Sequence, residues 1–211
     1  GFNKADARIE RQFDYRVELQ AESRARATLR IRYSHQSPPS AQPCIRPPPA
    51  TDTYDDMRGE CYWDYVRIYT PEGSNLIAAT GGIEHRIEEP ENGYAVWGGF
   101  FELPRGQTRE FKSEYWLPTG WLRADGESTY TFRWIKQPGT KIAAMRATIV
   151  IPDSFQIVGA YPPSTARTNS VLEYNLPTDR DTTIVVRVAP ANRAVELAGI
   201  VLIGIALLVG V

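Results

Sequence analysis

Apolar and polar residues alternate strictly in two early segments of the chain. Every second residue is apolar in 13–20 (FDYRVELQ), and 27–33 (ATLRIRY) repeats the pattern. A period of two residues is typical of a strand that is buried on one face only. Because only the short segment 21–26 separates the two, we expect them to pair as an antiparallel hairpin.

Further segments have the apolar and β-branched content of strands. They are 62–70, 94–103, 108–117, 128–136, 142–151, 155–161, 170–175 and 182–189. Turn residues, which supply the backbone angles of a chain reversal, separate nearly all of them. These turns lie at 71–73, 104–106, 118–120, 125–126 and 138–139. A short helix is an alternative for 142–151, but its β-branched residues 148–151 favour a strand.

The regular spacing of these segments, with 16 Gly and 16 Pro in the chain, predicts an all-β fold. We expect an antiparallel β-sandwich, either one large sandwich or two stacked lobes that meet near 118–126. Residues 1–11 then form an N-terminal extension and 12–120 form a β-sandwich lobe. Residues 121–190 form a second lobe or the continuation of the first.

A proline-rich loop interrupts this pattern at 37–60. It contains six prolines and no strand pattern, and polyproline II geometry is expected at 47–49. Cys44 lies inside the loop and Cys61 directly after it. A disulfide between them would close a loop of about 18 residues and stabilise the fold by roughly 3 kcal/mol. It would also imply an oxidising compartment, whereas the alternative is two reduced thiols.

The C-terminal segment has a different composition from the rest of the chain. The charged residues, 24 Lys and Arg with 25 Asp and Glu, all precede Leu197. A helix over 197–211 would be about 22 Å long, short of the roughly 30 Å hydrocarbon core. We therefore expect a transmembrane helix over 194–211 that continues beyond Val211 or is tilted within a complex. Its predicted anchor residues are Leu197, Ile200, Val201, Ile203, Ile205, Leu207 and Leu208.

A buried globular helix is the alternative for this segment. A helix that is apolar on all sides is difficult to place on a β-sandwich, because a sandwich buries only one face of each layer. The composition therefore favours the membrane, and we expect the lipid bilayer to be one partner of the chain.

The charge balance and the few histidines exclude several function classes. A net charge of −1 gives no overall attraction to phosphate, so nucleic acid is not expected as a partner. Two Cys and two His offer too few soft ligands for a metal site, and no GxSxG motif is present. We expect no catalytic residue, no metal and no cofactor, and we expect His35 and His85 at the surface.

Two acidic clusters lack the residue order of a calcium-binding loop. They comprise Asp52, Asp55, Asp56 and Glu60, and Glu84, Glu88, Glu89 and Glu91. We expect the acidic side chains of both clusters to be solvated surface charges. A pair of glycosidase carboxylates among the 25 acidic residues remains an open alternative.

An arginine stripe, Arg24, Arg26, Arg30 and Arg32, lies on one side of the second strand. It could contact phosphate or lipid headgroups. Pairing across the strands with Asp14 and Glu18 is the favoured alternative, because those acids face the same side of the first strand.

Aromatic residues occur on both faces of the strand predicted at 62–70. Alternation places Tyr62, Asp64, Val66 and Ile68 on one face, and the other carries Trp63, Tyr65, Arg67 and Tyr69. Such a strand is either covered on two sides or offers one face to a partner. Core packing is the commoner use of aromatic residues, and stacking on carbohydrate is a further possibility.

Segments 61–82 and 98–118 resemble the C-terminal β-rich region of a functionally uncharacterised bacterial cell-envelope protein family. The first pattern comprises Tyr65, Arg67, Tyr69, Pro71, Gly73, Ser74 and Leu76. The second comprises Pro104, Gly106, Tyr115, Leu117 and Pro118. The later segment 132–140 (FRWIKQPGT) resembles a turn of the same family, and the likeness extends over about residues 10–190. It implies a secreted or membrane-tethered surface protein and supplies no catalytic residues.

Together these features predict a single-pass protein of the cell membrane with its β-domain on the extracytoplasmic face, periplasmic or outer. We expect a non-catalytic accessory or scaffold subunit of a bacterial membrane or envelope complex. Its partners would be other membrane-protein subunits, reached through the C-terminal helix and the β-domain. The alternative is a carbohydrate-binding or carbohydrate-active envelope module, for which a glycan would be the ligand.

Overall fold

The computed structural model describes residues 4–41, 43–44, 53–83, 85–120, 126–137 and 139–191, and at 55 and 85–91 it describes the backbone alone. Short helices lie at Lys4–Arg8 (3₁₀) and Tyr54–Gly59 (α1). The strands are β1 Ile9–Leu19, β2 Ala25–His35, β3 Tyr62–Pro71, β4 Asn75–Thr80, β5 His85–Glu91, β6 Tyr94–Leu103, β7 Thr108–Leu117, β8 Ser128–Trp134, β9 Ile142–Val150, β10 Phe155–Tyr161, β11 Ala166–Arg167, β12 Val171–Leu176 and β13 Thr182–Pro190.

Seven strands form one large sheet in the order β11-β12-β9-β1-β2-β7-β4. The predicted hairpin of β1 and β2 is confirmed, with Tyr15 opposite Leu29. On its other side β1 pairs with β9 in parallel, and Tyr15 lies opposite Ala147. The prediction of antiparallel pairing throughout is wrong at this point. A parallel pair needs a long crossover, and the long chain segment between β1 and β9 provides one.

Two three-stranded sheets cover the same face of the large sheet. We call β3-β6-β5 the first cover sheet and β10-β13-β8 the second cover sheet. The first packs on β2 and β7, where the Phe101 and Phe111 rings are 4.8 Å apart. The second packs on β1, where the Phe132 and Tyr15 rings are 4.5 Å apart. The fold is therefore an all-β sandwich with one layer divided in two, as the class was predicted.

Buried tyrosines connect the two halves of the core. The Tyr15 and Tyr130 hydroxyls are 2.8 Å apart and join the large sheet to the second cover sheet. Tyr115 packs at 4.9 Å against Trp97 of the first cover sheet. Burial is the main cause that raises the pKa of Tyr115 well above its usual value, and the neighbouring Tyr15 raises it further. The Tyr15 and Tyr115 phenols also share a hydrogen bond. Tyr15 and Tyr115 thus place both cover sheets in contact with one continuous core.

Most predicted strands lie at or near their expected positions, and β6, β7 and β10 have their predicted bounds. Within the predicted segment 142–151, Ile142–Val150 forms strand β9 and not a helix. Strands β4 and β5 were not predicted, because one is largely exposed and the other is rich in charge. Both lie at sheet edges.

Several predicted features lie outside the described residues. They include the polyproline segment 47–49, Asp52, Glu84 and the whole of 194–211 with its anchor residues. None of the helices in the described ranges is long and apolar enough to cross a membrane.

Candidate functional site: the aromatic face of the first cover sheet

One side of strand β3 is buried and the other is exposed. The residues divide between the two sides as the alternation in the sequence predicted. Tyr62, Val66 and Ile68 are buried against the large sheet. Tyr65 and Tyr69, on the opposite side, are 46% and 49% exposed. One side of the strand is therefore core, and the other is surface.

Strand β6 adds two aromatic residues to this surface. It pairs antiparallel with β3, so that Phe100 lies opposite Tyr65 and Tyr94 lies opposite Pro71. Phe100 is 44% exposed and Tyr94 is 39% exposed. The aromatic face, as we use the term, comprises Trp63, Tyr65, Arg67, Tyr69, Tyr94 and Phe100.

The side chains of the aromatic face are arranged in two groups along β3. The Arg67 guanidinium lies 5.7 Å from the centre of the Tyr65 ring, within the range of a cation–π contact. The Tyr69 and Tyr94 rings meet edge to face at 6.1 Å. Tyr65 and Tyr69 are four residues apart on one strand, which corresponds to about 13 Å. Two aromatic clusters thus flank one cationic side chain.

A glycine on β6 determines how closely the Tyr65 ring approaches the sheet. Gly98 lies opposite Arg67. A Cβ at this position would lie 3.0 Å from Tyr65 Cε1 and only 2.2 Å from the Val66 carbonyl oxygen. The absence of a side chain therefore allows both the close strand pairing and the packing of the Tyr65 ring over β6.

A buried polar network supports β3 from below. Arg11 is only 4% exposed, and its guanidinium lies 5.2 Å from the Tyr33 ring and 5.6 Å from the Tyr62 ring. Arg11 forms an ion pair with Asp6 and donates to the Tyr62 hydroxyl at 2.9 Å. The N-terminal helix is thereby joined to the start of β3.

The network continues to the backbone of the aromatic face. The Tyr62 hydroxyl donates to Asp64 Oδ2 at 2.7 Å, and Asp64 Oδ1 accepts from the Tyr65 N–H at 2.8 Å. Strand β3 lies at the edge of its sheet, where an unpaired backbone N–H could pair with a strand of another chain. By accepting the Tyr65 N–H, the Asp64 carboxylate makes that group unavailable for such pairing. Asp64 therefore fixes the backbone next to the exposed Tyr65 ring.

The protonation states in this network are fixed near neutral pH. Burial raises the pKa of Tyr33 to about 12 and also raises the pKa of Tyr62. Burial acts in the opposite direction on Arg11, but nearby Tyr62 and Asp6 outweigh it and raise its pKa. Arg11 is therefore charged and both phenols are neutral, so each of their hydrogen bonds keeps the same donor and acceptor.

The outer face of the second cover sheet has a different composition. Its exposed residues are Thr129, Thr131 and Arg133 on β8, Thr183 and Arg187 on β13, and Gln156, Val158 and Tyr161 on β10. Tyr161, opposite Val185 at the end of β10, is the one aromatic residue in this set and is 73% exposed.

The outer face of the large sheet carries ion pairs, as the arginine stripe suggested. The partners differ from the predicted Asp14 and Glu18. Arg26 pairs with Glu114 and Arg32 with Glu110, both on β7. Asp14 instead binds Arg146 of β9 at 2.6 Å. The sequence could not reveal these partners, because they depend on which strands flank the hairpin.

The predicted disulfide between Cys44 and Cys61 is present, with a Cα–Cα distance of 5.2 Å. It joins the proline-rich loop to the start of β3. Within the loop, Thr53 and Asp56 form a capping box at the start of α1, and the hydrogen bonds from Thr53 hold the pKa of Asp56 below its usual value. Asp56 therefore caps a helix.

The prediction of a surface position for His35 is wrong, since its side chain is only 4% exposed. It lies at the inward-facing end of β2, next to the proline-rich loop. No group of three or more metal-binding His, Cys, Asp or Glu side chains occurs in the part of the chain that the structure describes.

Sequence patterns alone did not reveal three residues of the candidate site. Phe100 and Tyr94 join it only through the register of β6 against β3. Arg11 lay in the predicted N-terminal extension, yet it is an inward-facing residue of β1. Its position among the alternating apolar residues 9–19 was the available signal, since a charge there must find buried partners.

No protein-family model matches the chain, and no curated protein matches it. Among solved structures, a variant of a two-domain M1 zinc metallopeptidase bound to L-tryptophan is similar, with 13% identity and a TM-score of 0.42. The match covers 86% of this chain and 43% of the peptidase.

An M1 zinc metallopeptidase from Deinococcus radiodurans has 14% identity and a TM-score of 0.38, over 84% of this chain and 41% of its own. A proposed nutrient-binding protein from Legionella pneumophila has 11% identity and a TM-score of 0.36, over 85% and 67%. The chain spans less than half the length of the metallopeptidases. With TM-scores this low, no function is carried over from these proteins.

Proposed function

We propose that the protein is a non-catalytic accessory or scaffold subunit that docks on other proteins of a bacterial membrane or envelope complex through its aromatic face. The observation that supports this proposal is the exposure of Tyr65, Tyr69, Tyr94 and Phe100 on one sheet surface. Tyrosine, phenylalanine and arginine are enriched at protein interfaces and supply much of their binding energy. Contiguous exposed apolar surface on a folded domain commonly marks an interaction site.

Support beneath the face strengthens this proposal. An interface binds tightly when its residues are held in place before the partner arrives. The Arg11 network fixes the backbone at Tyr65, and the disulfide holds the segment that leads into β3. A rigid surface of this kind suits docking better than an adaptable loop.

The membrane location is part of the same proposal. The apolar segment 194–211 would form a single transmembrane helix and a second contact with partner subunits. The disulfide is consistent with an oxidising, extracytoplasmic compartment for the β-domain. The resemblance to a bacterial cell-envelope family points to the same location.

Site-specific photo-crosslinking tests the docking proposal. The full chain is expressed in its host membrane with p-benzoylphenylalanine in place of Tyr69, or in place of Thr131 on the second cover sheet as the matched control. Illumination is expected to give a defined protein adduct from position 69 and none from position 131. Equal adducts from both positions, or none from either, would contradict docking through the aromatic face.

A carbohydrate-binding envelope module is the second candidate. It is favoured by the two aromatic clusters on one strand, whose Tyr65 and Tyr69 backbone positions are about 13 Å apart. The flat rings of Tyr65 and Tyr69 could stack on two sugar units, while Arg67 binds hydroxyl or carboxylate oxygens between them. In this case the ligand would be a glycan of at least two units.

A glycan array with the full chain in detergent micelles separates the two candidates. The carbohydrate module predicts binding to a saccharide that is lost when Tyr65 and Tyr69 are both replaced by Thr. The scaffold proposal predicts no saccharide binding by either form.

A further inference from the structure

His35 connects the two ends of the proline-rich loop. Its Nδ1 accepts the backbone N–H of Ser37, the first loop residue, at 3.2 Å. Its Nε2 lies 2.8 Å from the backbone oxygen of Glu60, the last loop residue. Because Nδ1 acts as the acceptor, the ring proton is assigned to Nε2, which donates to Glu60. The neutral imidazole satisfies both ends of the loop at once.

The surroundings of His35 disfavour a positive charge. The side chain is buried, and Arg8 from the N-terminal helix and Arg105 from the turn after β6 are its charged neighbours. Burial lowers the pKa of His35, the hydrogen bond with Glu60 raises it, and Arg105 and Arg8 lower it further, with a net lowering. The backbone of the same segment is held separately, since the His35 N–H donates to the Gln107 carbonyl at 2.9 Å.

We propose that His35 is a pH-sensitive clasp, closed on Ser37 and Glu60 when the imidazole is neutral and opened when it is protonated. Protonation places a hydrogen on Nδ1, opposite the Ser37 N–H, so that two donors face each other where one hydrogen bond existed. The new cation would also lie near Arg8 and Arg105 in a buried site. The proposal stands independently of the proposed docking function.

The disulfide limits how far the clasp opens. Cys61 follows Glu60 directly, and its bond to Cys44 still ties the loop to β3 after His35 has released Ser37. Opening is therefore local to the segment around Ser37 and Glu60, and the paired strands remain folded.

The direction of the pH dependence follows from the lowered pKa. The closed state binds the proton more weakly than the open state, in which His35 titrates near its ordinary value of about 6.5. Above that value the closed state has its highest population, which no longer depends on pH. As the pH falls below it, the open population increases by up to tenfold per pH unit until the closed-state pKa is reached.

Amide hydrogen exchange at residue resolution tests this proposal on the full chain in detergent micelles. The His85→Gln background leaves His35 as the one histidine, since the chain has only two. After correction for intrinsic exchange, protection of the Ser37 amide is expected to fall by up to tenfold per pH unit between 6.5 and 5. The Tyr15 amide in β1 serves as the internal control and is expected to keep its protection.

The variant His35→Asn is the matched control, because Asn Oδ1 can accept from an N–H but does not titrate in this range. Its Ser37 protection is expected to be independent of pH. Constant protection in the parent chain, or the same loss in His35→Asn, would overturn the proposal.

The ring nitrogens of His35 give a second readout that does not depend on folding of the variant. Nitrogen-15 shifts of the parent chain at pH 7.5 are expected to show a neutral ring with its proton on Nε2. A protonated ring or the opposite tautomer at that pH would also overturn the proposal.

Discussion

The two cover sheets pack against the same large sheet, yet their outer faces differ. On their inner faces both bury aromatic and aliphatic side chains, with Phe101 in the first and Tyr130 and Ile184 in the second. On its outer face the second cover sheet presents threonine, arginine, glutamine and valine, with one exposed ring, Tyr161, at the end of β10. The first presents Tyr65, Tyr69, Tyr94 and Phe100.

This difference distinguishes the aromatic residues that folding requires from those that it does not require. The second cover sheet packs on the large sheet with a single exposed ring among its described residues, Tyr161 at the end of β10. The four exposed rings of the first lie on the side of β3 and β6 that faces away from the large sheet, so they add no core contact. The inner aromatic residues belong to the fold, and we attribute the outer ones to recognition of a partner.

Core truncations in the two cover sheets have the largest expected effect. Phe101→Ala removes a ring that packs on Tyr33 and Phe111, and should lower the free energy of unfolding by about 3–5 kcal/mol. Ile184→Ala is the counterpart in the second sheet, where the side chain is fully buried, with an expected loss of about 2–5 kcal/mol. Denaturant unfolding measures both.

Both variants should also keep a single unfolding transition, because Tyr15 and Tyr115 join the two halves of the core. Two separate transitions, with each substitution shifting only one of them, would show that the cover sheets belong to independently folding lobes.

Loss of the disulfide ranks next. The double variant Cys44→Ala, Cys61→Ala should lose about 3 kcal/mol of unfolding free energy, because the unfolded chain regains the freedom of the closed loop. Reduction of the parent chain with dithiothreitol should have the same effect, and the double variant should be insensitive to reductant. A double variant as stable as the parent would show that the loop is held by its other contacts alone.

Glycines in the two cover sheets give a smaller, matched contrast. In the first, a Cβ at Gly98 would lie 2.2 Å from the backbone oxygen of Val66, so Gly98→Ala must shift a strand and should cost about 1–3 kcal/mol. In the second, the three atoms nearest to a Cβ at Gly159 would all belong to the end of the Arg187 side chain, the nearest at 2.9 Å. Because that side chain can move aside, Gly159→Ala should change stability by about 0.5 kcal/mol at most. Thermal unfolding compares the two, and equal losses would contradict the account.

Alternation in the sequence predicted much of the fold, because burial of one face leaves a period of two residues. It located the β1–β2 hairpin and both sides of β3. It did not predict the order of strands in the large sheet, since the parallel pairing of β1 with β9 joins residues far apart in the chain. It also missed α1, which has only six residues and follows the prolines of the loop 37–60.

The candidate site was predicted only in part for the same reason. Trp63, Tyr65, Arg67 and Tyr69 share one side of a single strand, and local alternation is enough to group them. Phe100 joins them by pairing of β6 with β3, and Arg11 supports them through contacts with Asp6 and Tyr62. Those relations are set by packing between strands and leave no local pattern.

The smallest expected effect on stability belongs to the exposed rings themselves. The double variant Tyr65→Thr, Tyr69→Thr gives β3 exposed threonines like Thr129 and Thr131 on β8 of the second cover sheet. Substitutions at such exposed positions usually change stability by about 0.5 kcal/mol or less each. The parent chain and the variant should therefore have nearly the same unfolding midpoint.

Docking, unlike stability, should be lost in this double variant. Its measurement is the most direct test of the claim that the aromatic face is the docking surface. The full chain, tagged and purified from its host membrane in mild detergent, is compared with the double variant for the amount of partner subunit that co-purifies in fixed proportion. We predict that the variant loses the partner while its unfolding midpoint stays nearly the same. A variant that retains the partner in the parent's proportion would contradict the claim that the aromatic face is the docking surface.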